Sequence, residues 1–62
     1  MDIVSEWYIE GIKEGRSAFE TYPDLKPDEE IANIKQTMRG FGARSPVGQM
    51  LRGELDFWMN RK

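Results

Sequence analysis

The sequence predicts a compact all-α domain of three helices. Three apolar stripes recur at helical spacing, prolines break the chain between them, and no segment alternates with the period of two that a strand requires. With 62 residues and an apolar fraction of 39%, the chain suits a single helical domain over 1–62.

The first helix is expected over about 3–22. Advancing 100° per residue, Val4, Tyr8, Ile12, Gly15, Phe19 and Tyr22 cluster on one side, while Glu6, Glu10, Lys13, Glu14, Arg16 and Glu20 fall opposite. Pro23 pushes Tyr22 out of the helical region and makes PDLKP a connector. Pro27 suits a first helical position, and Asp28, Glu29 and Glu30 place negative charge at the positive end of the next helix dipole. That second helix, about 27–40, carries Ile31, Ile34, Met38 and Phe41 in a narrow stripe. Gly40 and Gly42 can end it through positive φ angles. Ser45 followed by Pro46 signals a capped start for a third helix at about 46–60, with Val47, Leu51, Leu55 and Trp58 as its core line.

A core of this size leaves roughly 3 to 5 kcal/mol of net stability. The chain has no Cys and no His, so disulfides and the common zinc or haem ligands are missing; stability must come from packing or from a second chain. The amino end lacks a signal-peptide pattern, and no run approaches the length that spans a bilayer, which leads us to expect a cytoplasmic protein with no membrane contact. Charge is uneven: residues 1–32 hold nine acids and three bases, residues 33–62 two acids and six bases. Such a dipole either marks binding surfaces or draws the two halves together.

Glycines inside helices need a reason, since each costs about 0.5 to 1 kcal/mol relative to alanine. Gly48, in the first turn of helix three, reads as a packing position. Gly53 lies with Met50 and Phe57 on a second strip of that helix, and helix one has its own small-residue run of Gly11, Gly15 and Ala18 beside Trp7. The surrounding charges exclude a bilayer for this G-x-x-x-G. Two readings follow. In one, the glycines let the three helices of a small domain approach each other. In the other, Trp7, Gly11, Met50, Gly53 and Phe57 form a shallow docking surface for another protein or a second copy of the chain.

Without His or Cys the chain lacks the commonest general base and the best nucleophile, and we expect no enzyme, cofactor or metal. Glu6, Glu10 and Glu14 repeat at i+4, a pattern expected on a solvated face, though oxygen ligation of a divalent cation or imitation of nucleic-acid charge would use the same stripe. The stretch MRGFGARSPVGQMLRGEL sets a helix, a glycine turn and a capped helix bearing Arg44 and Arg52, which suggests DNA binding of the helix-turn-helix kind as the alternative function. The amides at the start of helix three, with Arg44, could also hold an anion, although GFGARS lacks the ending of a P-loop.

The segment IANIKQTMRGFGARSPVGQMLRGELDFWMNRK, with the upstream EGIKEGRSAF and a Tyr-Pro break, resembles small accessory proteins of phages and mobile elements. The resemblance implies a bacterial or phage cytoplasmic setting and action by binding host or element-encoded machinery. It supplies no catalytic residue.

Overall fold

The computed structural model describes residues 5–61 and shows an all-helical domain: α1 spans Glu6–Thr21, α2 Pro27–Met38 and α3 Pro46–Arg61. Helix α1 starts later than the stripe suggested. Ser5 is extended (φ −61°, ψ 140°) and its hydroxyl accepts a hydrogen bond from the Trp7 amide at 3.2 Å, so it caps the helix. Val4, expected in the apolar stripe, lies outside the described residues. At the other end Pro23 has the expected effect: Tyr22 leaves the helical region (φ −129°, ψ 77°) and is exposed rather than part of the core.

Pro27 opens α2 at its first turn, behind an extended Lys26. The helix ends at Met38, short of the expected 40, and by a different device. No glycine among the described residues has a positive φ. Instead Arg39, Gly40 and Phe41 donate to the carbonyls of Gln36, Thr37 and Met38 at 3.3, 3.1 and 3.1 Å, three-residue steps that tighten the last turn and satisfy its carbonyls. Phe41 is thereby carried past the helix and is 47% exposed, contrary to its place in the predicted stripe. Ser45 behaves as expected: its hydroxyl accepts from the Gly48 amide at 3.0 Å and donates to the Gly42 carbonyl at 2.7 Å. This one side chain ties the connection to the start of α3.

Helix α3 is the centre of the domain. Both α1 and α2 pack on it, and they do not pack on each other. Contacts with α1 advance in the same direction along both helices, from Gly11 against Met50 and Glu54, to Gly15 against Phe57, to Phe19 against Trp58, so α1 and α3 run parallel. The core holds Ile31, Ile34, Leu55, Phe57 and Trp58, with Ile12, Phe19, Leu25, Met38 and Leu51 packed around it. Trp58 is its most deeply buried member, 1% exposed, and Phe19, Phe57 and Trp58 form an aromatic cluster with centroids 5.2 to 6.4 Å apart, both phenylalanines edge-on to Trp58 and tilted 59° to each other. Arg61 closes that cluster, its guanidinium 4.5 Å from the Phe19 ring centroid and 5.1 Å from that of Phe57. Val47 departs from the predicted core line: it lies in the first turn of α3 and is 42% exposed.

Candidate functional site

The glycines settle where the helices meet. A Cβ built on Gly11 would overlap the carbonyl oxygen of Met50, and one built on Gly53 would overlap the carbonyl oxygen of Tyr8. The arrangement is nearly reciprocal, since each glycine faces the carbonyl three residues before the other. The same Cβ on Gly53 would lie 3.1 Å from the Gly11 Cα. Two backbones in direct contact bury both glycines and allow weak Cα–H···O contacts across the crossing. The reading in which glycines admit a neighbouring helix of the same chain therefore holds for Gly11, Gly15 and Gly53.

This placement corrects the docking surface read from the sequence. Gly11 and Gly53 are sealed between α1 and α3 and have no face to offer a partner. Phe57, expected to stay partly exposed, is 9% exposed, because its ring occupies the space that the missing Gly15 side chain leaves: a Cβ there would sit 2.8 Å from the Phe57 Cδ2. Met50 is half-buried at the crossing. Trp7 alone of the five stays open, at 48%.

Trp7 belongs to a different surface, the outward face of α1. Helical spacing sets Glu6, Glu10 and Lys13 opposite the Gly11–Gly15 contact, with Trp7 and Ile9 on the two flanks of that strip. These five residues line a half-open concavity of about 410 Å³. Ile9, like Trp7, is exposed. Glu10 and Lys13 approach to 3.8 Å with both side chains in solvent, a weak pair that leaves the face acidic. The sequence pattern showed the acids on this side of α1 but gave no reason to group Ile9 with Trp7.

A second cleft, also about 410 Å³, lies where the amino end of α1 meets the connection and α3; Ser5, Tyr8, Ala43, Gln49 and Arg52 line it. Behind it runs a polar chain. The Tyr8 hydroxyl donates to Asp56 Oδ2, and Arg52 Nε approaches Asp56 Oδ1 at 3.3 Å. The bond to Asp56, with burial and the aspartate charge adding to it, raises the Tyr8 phenol above its ordinary value, while Arg52 opposes the shift. Arg52 is thus half committed to an acid on its own helix. Arg44 is exposed on the connection, where its carbonyl accepts from Gln49 Nε2 at 2.8 Å. The segment between α2 and α3, residues 39–45, is longer than the turn of about three or four residues in a helix-turn-helix.

Glu54, on α3, is held above the usual carboxylate range, first by burial and then by the charges of Glu14 on α1 and Glu30 on α2. Among the described residues no group of three or more acidic residues is arranged to hold a metal ion, and no helix is long and apolar enough to cross a membrane. Comparison with protein-family models, with curated proteins and with solved structures gave no match.

Proposed function

We propose that this protein is a small non-enzymatic binding module that acts through protein–protein contact, with the outward face of α1 around Trp7 as its contact surface. One observation carries the reading. The chain buries Trp58 to 1% exposure yet leaves Trp7 at 48% beside an exposed Ile9, in a concavity rather than on a bare ridge. A tryptophan so placed contributes little to the fold and is the side chain most often found at the energetic centre of an interface. The setting is that implied by the resemblance, bacterial or phage machinery with which a small accessory protein associates.

The test joins three measurements. Affinity capture from the native host should recover a partner with the natural sequence and lose it with Trp7→Ala, while circular dichroism shows that the variant keeps its fold. A solution mass of one chain would assign the surface to a different protein rather than a second copy. A gel-shift titration should show no steep salt-dependent binding to duplex DNA; a steep slope would replace this reading with the DNA-binding alternative through Arg44 and Arg52.

A further inference from the structure

We infer that the occupant of the α1 outward face is a basic amphipathic helix of another protein, its Lys or Arg side chains meeting Glu6 and Glu10 and its apolar side chains meeting Trp7 and Ile9. The inference rests on the reading of this face as a docking surface and goes beyond it by fixing the partner's chemistry. Three features of the molecule point the same way.

First, the charge of the face is set by the helix itself. Glu6 and Glu10 stand one turn apart at the centre of the strip, and α1 as a whole holds four acids against two bases. Among the described residues Lys13 pairs with Glu10, through an exposed contact at 3.8 Å that an incoming cation can replace at small cost. Second, the apolar groups flank the acids instead of covering them. Trp7 and Ile9 sit on the two edges of the concavity, so a ligand must bring apolar contact to the sides and positive charge to the middle. A helix with Lys or Arg at i and i+4 does this, because its spacing repeats that of Glu6 and Glu10. Third, a parallel two-fold pair of copies joined through this face would set Glu6 and Glu10 against their own equivalents, which is costly at an interface, whereas an antiparallel pair would set Glu6 near Lys13, and the solution mass decides that case.

The probe is a pair of synthetic helical peptides of about 15 residues whose binding face sets charged positions at i and i+4 between flanking leucines, one peptide with lysines at those positions and one with glutamates. Calorimetric titration at low salt should show the lysine peptide binding at one site per chain and the glutamate peptide not binding. Trp7 emission should shift to the blue as the ring is covered, against the constant signal of the buried Trp58. Trp7→Ala should weaken binding about tenfold or more, as expected for an interface anchor. The pair Glu6→Gln and Glu10→Gln should weaken it several-fold and flatten its salt dependence. Neither set of changes should unfold the domain, and each should move the melting temperature by no more than about 8 °C, the shift that about 1 kcal/mol produces in a domain of this size.

Failure separates the two levels of the claim. If the glutamate peptide binds as well as the lysine peptide and Trp7→Ala abolishes both, the docking face stands and the basic partner is wrong. If the lysine peptide binds with an affinity indifferent to Trp7→Ala, the contact is diffuse charge attraction and both claims fall. No binding of the lysine peptide at millimolar concentration also overturns the inference. A solution mass of two chains, lost with Trp7→Ala, would assign the face to a second copy.

Discussion

The two helices that pack on α3 do so in opposite ways. On the α1 side, backbone meets backbone: Gly11 and Gly53 bring main chains into contact with no side chain between them. On the α2 side, the contact is made by side chains: Ile31 and Ile34 are buried in one cluster with Leu55, Phe57 and Trp58, and Leu25 and Met38 pack against it. The first contact is short-range and intolerant, because a carbonyl oxygen cannot move without moving its helix. The second is adjustable, since side chains can change rotamer when a neighbour shrinks.

The sharpest test of that contrast is Gly53→Ala. On an exposed helix this substitution stabilises by about 0.5 to 1 kcal/mol. Here the new methyl would overlap the Tyr8 carbonyl and lie 3.0 Å from the Ile12 amide nitrogen, so α1 must lift away. We expect a loss of about 3 kcal/mol or more, enough to unfold a domain with roughly 3 to 5 kcal/mol of stability. Gly11→Ala should do the same through Met50. Thermal melts that show either variant unchanged would break the picture of a backbone crossing.

The α2 side should yield more gradually. Ile34→Ala removes a side chain that is 8% exposed and should cost about 2 to 4 kcal/mol, with Ile34→Val costing about 1. The graded pair is the point of the comparison: a series of decreasing volume should produce a series of losses at Ile34, whereas at Gly53 the first added carbon should be decisive. Urea midpoints for the two series would show whether the contacts differ in kind.

Gly15→Ala falls between these cases. Its methyl would meet the Phe57 ring at 2.8 Å, a side chain rather than a backbone, but one held between Phe19 and Trp58 and capped by Arg61. The ring can tilt only by disturbing that cluster. A loss of about 1 to 3 kcal/mol is expected, visible by calorimetry together with a change in near-ultraviolet circular dichroism from the aromatic cluster. An unperturbed aromatic signal would show that the ring has more freedom than its contacts imply.

Much of this architecture was legible in the residues. Pro23, Pro27 and Pro46 mark the breaks, and helices without a packing reason for glycine do not carry Gly11, Gly15 and Gly53 at facing positions. Periodicity, however, assigns a residue to a face without saying whether anything stands opposite. Val47 and Phe41 share a line with true core residues and are exposed, Phe41 because α2 ends before it. Trp7 and Phe57 looked equivalent, each beside a glycine run. Their fates differ because the Phe57 ring fills the space beside Gly15, whereas Trp7 keeps 48% of its surface exposed. The Tyr8–Asp56 bond joins residues 48 apart and leaves no local trace, although Arg52 and Asp56 at i+4 are recognisable as a pair.

The smallest effect concerns Glu54, which sits where the two kinds of contact come closest, with the Glu14 charge from α1 and the Glu30 charge from α2 acting on it. Burial is the leading cause of its raised value, so the folded state holds its proton more tightly than the unfolded chain does. Stability attached to this group is therefore full below the unfolded carboxylate value and declines as pH rises through the folded one. Glu54→Gln removes the titrating charge while keeping shape. It should stabilise the domain at pH 7 by less than about 1 kcal/mol, as befits a half-exposed carboxylate, and by nothing near pH 3.5, where glutamate is already neutral. Because desolvation outranks the Coulomb contributions, most of the gain at pH 7 should survive added salt, which screens charge but does not rehydrate a buried group. A gain that vanishes in high salt would mean that repulsion from Glu14 and Glu30 dominates, and a gain independent of pH would mean that the glutamine acts through packing alone.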